Sequence, residues 1–237
     1  MADTAPIFPR AVQTNDCYFF YLDEVSGSSH FVFFYSVELY SIARKAHGSG
    51  DYLIAIAFAA SAVEAFINEL ALRASVSLKT EKPYQPALSV LAEVLEDAES
   101  CRMSVQGKYR LAKQLLTGKP LETDKSPYQD FNMLFQLRNA LLHMKPGATL
   151  DDQEAEHKKL VKMLLSHHLC NNPPMASFLD NIKNANVSRF ACNAAAAIID
   201  HIDECCSAHK LATPLSIVDT EPEGQFRMGK HMFPKIA

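Results

Sequence analysis

The sequence lacks an excess of positive charge, because its 237 residues carry 23 Lys and Arg against 27 Asp and Glu, for a formal net charge of −4. Domains that coat nucleic acid through bulk electrostatics are usually strongly basic. The composition therefore argues against that class of protein. Any contact with nucleic acid has to be made by a local patch.

Long hydrophobic runs and secretory features are also missing. The most apolar stretch, residues 53–63, is much shorter than the roughly 20 residues that span a bilayer, and Glu64 interrupts it. The first ten residues have no signal-type hydrophobic region, and the six cysteines are irregularly spaced. We therefore predict a core helix with no membrane partner, in a cytoplasmic protein whose thiols are reduced.

The motifs of common cofactor and metal sites are absent as well. The sequence has no phosphate-binding glycine loop, serine nucleophile elbow or zinc-protease motif. His201, Cys205 and His209 follow an i, i+4, i+8 spacing, which on an alanine- and cysteine-rich helix is more often coincidence than a metal site. We predict neither a cofactor nor a metal ion.

The sequence does contain long helical patterns separated by chain breakers. Its hydrophobic content of 48% is enough for one sizeable core. The predicted fold class is all-α, with a helical bundle in residues 31–210, an N-terminal arm or short hairpin in 1–30 and an extended tail in 211–237. Periodicity and caps predict helices at 31–46, 52–75, 87–100, 108–116, 127 to about 143, 151–168, 175–183 and 187–209, the last capped by Asn186.

Two segments near the chain ends allow more than one structure. Residues 17–23 and 31–35 are aromatic and suit a hairpin around the breakers at 24–29, but Ser28 or Ser29 equally suits the cap of a helix. We favour a helix from Phe31 onward. In the tail, apolar side chains provide anchors for docking on the bundle or on a partner: Phe226, Met228, Met232 and Phe233.

The most informative stretch is residues 131–147, FNMLFQLRNALLHMKPG, which sets Arg138 in the middle of an apolar helical face. Five apolar residues between positions 131 and 142 project within about 60° of Arg138 on an ideal helix. A buried guanidinium is tolerated when a carboxylate or an anionic ligand satisfies its donors. Arg138 is therefore either half of a buried ion pair or the wall of an anion site.

Glu64 is the predicted partner of Arg138. It lies on the long apolar helix that begins at Tyr52, and its neighbours one and two turns away are mostly small residues. Small side chains allow another helix to approach closely. We therefore predict that Glu64 and Arg138 are neighbours.

His143 lies about 140° around the helix from Arg138, so the two side chains do not share a pocket on an ideal helix. They converge if the helix unwinds after Leu142, or if a second copy of the chain supplies its own pair. Pro146-Gly147 favours early termination of the helix. His143 then lies in the last turn, where the helix dipole favours imidazolium.

The string R-N-x-x-x-H of Arg138, Asn139 and His143, together with the glutamate-bearing helix at residues 61–69, resembles the HEPN superfamily. The resemblance covers about half the chain, from near Val37 to near Lys145. It implies an all-α, HEPN-like bundle that forms homodimers. Many members are metal-independent ribonucleases of toxin, abortive-infection and other antiviral systems.

Metal-independent RNA cleavage uses the ribose 2′-hydroxyl as nucleophile and needs a proton-transfer group and a cation for the phosphorane charge. The resemblance and this chemistry assign proton transfer to His143 and the scissile phosphate to Arg138. Asn139 positions the phosphate or the histidine, Glu64 orients Arg138, and Lys145 adds phosphate attraction. The expected partners are RNA such as tRNA or mRNA, a second copy of the chain, and an antitoxin or activator protein.

Three cations on the predicted helix at 108–116 point outward in this interpretation and guide RNA: Lys108, Arg110 and Lys113. A solvated helix face explains them equally well. This set of residues also has a purely structural interpretation, in which Arg138 and Glu64 only join two helices and His143 only caps one. A HEPN-like scaffold that binds a nucleotide or a protein without catalysis is the alternative function.

Overall fold

A computed structural model describes residues 18–23, 28–80, 86–143, 155–171, 174–175, 177–207 and 233–237. Its architecture is a helical bundle preceded by one two-stranded hairpin, so the predicted all-α class is confirmed for the main body of the fold. The elements are β1 (Tyr18–Asp23), β2 (Ser28–Phe33), α1 (Tyr35–Ser49), α2 (Tyr52–Thr80), α3 (Pro86–Ser100), α4 (Val105–Thr117), α5 (Tyr128–Leu142), α6 (Ala155–Ser166), α7 (Phe178–Ile182) and α8 (Ala185–Ser207).

Helix α2 is the centre of the bundle, because it packs against α1, α3, α4, α5 and α8. Its side chains are apolar on nearly every side, and Ile56, Val63 and Phe66 are fully buried. The segment Tyr52–Leu72 is long and apolar enough to cross a membrane, which corrects the expectation that the apolar stretch is too short, but 56% of its most apolar window is buried inside the fold. The core helix of a globular bundle has these same properties.

The N-terminal hairpin corrects our preference for a helix from Phe31. Strands β1 and β2 pair antiparallel, with Tyr18 opposite Phe33 and Asp23 opposite Ser28, and α1 starts only at Tyr35. The start of α1 depends on a distant residue. Glu69 on α2 accepts hydrogen bonds from the Ser36 backbone N–H at 2.8 Å and from the Ser36 hydroxyl. A carboxylate at a helix N-terminus satisfies donors that have no partner within the helix.

The Glu69 carboxyl group makes stability depend on pH. It is 7% exposed, and burial raises its pKa from 4.5 to about 7, although the bonds from Ser36 act in the opposite direction. A pKa raised by folding means that the stabilisation is complete below about pH 4.5 and is lost as the pH rises through about 7. We expect the free energy of unfolding to fall between pH 5 and 8 by at most about 3 kcal/mol.

In a Glu69→Gln variant this part of the pH dependence should disappear, because the amide does not titrate. Urea unfolding at pH 5, 6, 7 and 8 measures the effect, with Glu38→Gln on the exposed side of α1 as the control. Equal pH slopes for wild type and Glu69→Gln would show that the carboxyl group does not titrate in this range.

Several predicted helix boundaries need correction. Helix α2 continues to Thr80, through residues predicted to form a loop. Helix α4 starts three residues earlier than predicted, because the Ser104 side chain caps it by accepting a hydrogen bond from the Gly107 N–H at 3.1 Å. Helix α7 is shorter than predicted. Helix α8 starts at Ala185, since the side chain of Asn184, and not Asn186, accepts from the Val187 N–H at 3.0 Å.

The end of the chain docks on the bundle. Phe233 is buried against Tyr40 and Phe66, which confirms it as an anchor of the predicted tail. The other predicted anchors, Phe226, Met228 and Met232, lie outside the described residues, as does His209.

Candidate functional site at the end of helix α5

Helix α5 presents one buried apolar face, and Arg138 lies where that face reaches solvent. Phe131, Leu134 and Phe135 are buried in the core, whereas Leu142 is 56% exposed. The Arg138 side chain is 31% exposed. Of the two alternatives for Arg138, the buried ion pair is therefore not formed, because the apolar stripe leaves the core one turn before the helix ends. The anion site stays a prediction.

Arg138 and Glu64 are neighbours, as predicted. The Nη2 atom of Arg138 lies 3.7 Å from Oε2 of Glu64, and the Glu64 side chain is 42% exposed. Such a solvent-accessible pair contributes little to stability, typically less than about 1 kcal/mol. Its geometry instead fixes the direction of a guanidinium that keeps access to solvent.

Asn139 is hydrogen-bonded to both Arg138 and His143. Its side-chain oxygen accepts a hydrogen bond from Arg138 Nη1 at 3.0 Å, and its backbone carbonyl accepts from the His143 N–H at 2.9 Å. The side chain of Asn139 thus contacts the guanidinium of Arg138. Its predicted role in positioning the phosphate or the histidine stays a prediction. The motif residues form one connected local unit.

His143 is the C-cap of α5 and is exposed. Its backbone angles, φ −106° and ψ 22°, depart from helical values, so the helix ends directly after Leu142, as the sequence predicted. Lys145, the predicted additional phosphate contact, lies outside the described residues.

Lys108 is not an outward cation, which corrects its predicted role in guiding RNA. It is 4% exposed, because α4 buries the face formed by Val105, Lys108, Tyr109, Ala112 and Leu116. Its ammonium group donates to Asn68 Oδ1 at 3.0 Å and pairs with Glu99. Burial lowers the pKa of Lys108, and the nearby charge of Glu64 partly offsets this effect.

The other two predicted cations are also engaged within the fold. The exposed Arg110 donates to the hydroxyl of Tyr128 and lies over its ring, with 5.2 Å between the guanidinium carbon and the ring centroid. Lys113 is half-buried and contacts Cys205 Sγ at 3.3 Å. Of the three, only Arg110 presents its charge at the surface.

The partners of Lys108 are polar residues that the sequence did not assign to the site. Asn68 lies one turn after Glu64 on α2, and Glu99 comes from α3. The spacing of Glu64 and Asn68 was the available signal, since residues four apart share a helix face. Together with Arg138 they form a polar seam across α2, α3, α4 and α5.

Within the described ranges, no group of three or more His, Cys, Asp or Glu side chains is arranged to hold a metal ion. The Sγ of Cys205 donates to the backbone oxygen of His201 at 3.1 Å and contacts Lys113, so packing accounts for this part of the i, i+4, i+8 pattern.

Comparisons of the chain with models of known families, with curated proteins and with solved structures give no match. The resemblance to HEPN proteins therefore rests on the sequence motif alone.

Proposed function

We propose that this chain is a metal-independent endoribonuclease of the HEPN type, acting in the cytoplasm in a bacterial defence or toxin–antitoxin setting. The observation that carries the proposal is the arrangement of Arg138, held by Glu64 and Asn139 but open to solvent, at a helix end that exposes His143. A guanidinium and an imidazole at one accessible helix terminus are the two groups that RNA cleavage by internal attack requires.

In the proposed reaction the ribose 2′-hydroxyl attacks the adjacent phosphorus. The new P–O bond forms as the bond to the 5′-oxygen of the next nucleotide breaks, which leaves a 2′,3′-cyclic phosphate and a 5′-hydroxyl. The 2′-hydroxyl loses a proton and the departing 5′-oxygen takes one up; His143 makes one of these two transfers and water makes the other. Arg138 stabilises the negative charge on the phosphoryl oxygens. The carboxylate of Glu64 keeps the guanidinium oriented toward the substrate.

A second copy of the chain completes the site in this proposal. Leu142 exposes a large apolar side chain directly beside Arg138 and His143, and Leu141 is half-buried at the same helix end. In the proposed dimer the Leu142 side chain is covered when two α5 helices meet near a two-fold axis. Arg138 and His143 from both copies would then line one composite cleft.

The dependence on the 2′-hydroxyl tests the reaction. Wild-type protein in excess EDTA is expected to cleave purified tRNA and to leave 2′,3′-cyclic phosphate ends. An RNA oligonucleotide that contains a mapped cut site should become resistant when the nucleotide on the 5′ side of the cut carries a 2′-deoxyribose. Cleavage of the deoxy-substituted oligonucleotide at the same bond would contradict internal attack.

A non-catalytic HEPN-like scaffold is the second candidate, and two observations favour it. The burial of Lys108 removes a cation from the surface of a chain whose net charge is already −4, and the exposed Leu142 suits contact with a protein. A scaffold would bind a nucleotide or a protein partner, such as an antitoxin or activator, through the same helix end. It would retain that binding and show no turnover of RNA.

A further inference from the structure

The segment Phe233–Ala237 occupies a groove formed by α1, α2 and α8. The Phe233 ring is 1% exposed and packs against the rings of Tyr40 and Phe66, with centroid distances of 5.2 and 6.4 Å. Two residues of the segment, Pro234 and Ile236, are half-buried, and Lys235 is exposed. Phe233 therefore fills a pocket that is aromatic on two sides.

The groove also binds the backbone of this segment. Asn193 on α8 donates from Nδ2 to the carbonyl of Ile236 at 3.0 Å and accepts from the Ile236 N–H at 2.7 Å. The Tyr40 hydroxyl donates to the carbonyl of Pro234 at 2.9 Å, and Arg189 donates to a main-chain oxygen of Ala237 at 3.2 Å.

The contacts in the groove are of two kinds, bonds to the backbone of the segment and pockets for its side chains. Bonds to backbone groups hold an extended peptide whatever its side chains are, whereas pockets for particular side chains select its sequence. In this groove the selective positions are the aromatic Phe233 and, three residues later, the aliphatic Ile236, which packs against the core.

We propose that this groove is a peptide-recognition site, which the chain's own segment 233–237 occupies in cis. The partner that fits it is another protein that offers an extended segment with the pattern aromatic–Pro–x–aliphatic. Such a segment enters the groove by displacing Phe233–Ala237, and the tail thereby sets the threshold for partner binding.

The chain length between bundle and tail supports competition in cis. Asn193 lies about four helical turns, or roughly 20 Å, before the end of α8 at Ser207. Residues 208–232 are long enough to span that distance several times over when extended. A ligand that belongs to the same chain as its site has an effective concentration of order millimolar, so the segment 233–237 competes strongly with a free peptide.

The test uses a fluorescent peptide with the sequence of residues 231–237 and measures its binding by anisotropy. We expect a full-length Phe233→Ala variant to bind the peptide at least about tenfold more tightly than wild type, because its own segment competes less well. Adding Asn193→Ala to this variant should weaken binding by at least about tenfold. The proposal is overturned if the folded Phe233→Ala variant does not bind the peptide, or binds it equally well without Asn193.

A measurement on the wild-type chain keeps the test independent of how well the variants fold. The Ile236 amide, bonded to Asn193, should exchange its hydrogen slowly in ¹⁵N-labelled protein. Unlabelled peptide at millimolar concentration should accelerate this exchange, while amides in the middle of α8 remain protected. Unchanged exchange of the Ile236 amide at that concentration would contradict displacement of the segment.

Discussion

A His143→Ala variant is expected to lose about 100-fold to 10,000-fold of the RNA cleavage rate, which is the usual contribution of a general acid or base. Its stability should stay within about 0.5 kcal/mol of wild type, because His143 is exposed and, among the described residues, bonds through its backbone to Asn139. Single-turnover cleavage of tRNA in EDTA and urea unfolding measure the two quantities.

His167→Ala is the matched control for this variant, since His167 is another exposed histidine directly after a helix, at the end of α6. Its cleavage rate should equal that of wild type. Equal rates for His143→Ala and wild type would remove His143 from the mechanism and favour the scaffold function.

A Phe233→Ala variant is expected to lose about 3 kcal/mol of unfolding free energy, at the lower end of the 3 to 5 kcal/mol typical of buried Phe→Ala changes. The loss is limited because the tail segment can leave the groove while the helices remain packed. Lys235→Ala, an exposed change in the same segment, should have almost no effect.

Urea unfolding of both variants at one pH measures the difference. A loss below about 0.5 kcal/mol for Phe233→Ala, which is within the range of surface substitutions, would mean that the docked segment contributes little to the stability of the bundle.

The pairing of Glu64 with Arg138 is predictable from sequence because both causes are local. Small residues around Glu64 indicate a close helix contact, and Arg138 lies at the centre of the apolar pattern that must face such a contact. The end of α5 is predictable for the same reason, since Pro146 and Gly147 follow within five residues. The exposure of the Glu64 and Arg138 side chains is not predictable, because it depends on where the neighbouring helices end.

Lys108 shows the limit of periodicity as a guide to burial. Lys108 is adjacent to the buried Tyr109 on α4. If the helix turned about its axis by the angle between two successive residues, the lysine would face water and not the core. The buried position becomes favourable only because Asn68 and Glu99, from two other helices, provide partners for the ammonium group. Such long-range partners cannot be identified from the sequence of α4.

The start of α1 has a similar explanation. The pattern of residues 28–35 fits a strand and a helix equally well, and the choice depends on Glu69, more than thirty residues away, which satisfies the N-terminal donors of the helix at Ser36. The sequence predicted that Phe233 anchors the tail. Its pocket and the bonds made by Asn193 are formed by residues from several helices, so they become visible only in the tertiary structure.

The most direct test of the proposed function is cleavage of total RNA and purified tRNA in excess EDTA by wild type and by an Arg138→Ala, His143→Ala double variant. Both proteins are first checked for helical content and for dimer mass. We expect the wild type alone to cleave, at discrete sites and without metal. Equal cleavage by both proteins, or no cleavage by a folded, dimeric wild type, would contradict a ribonuclease built on Arg138 and His143.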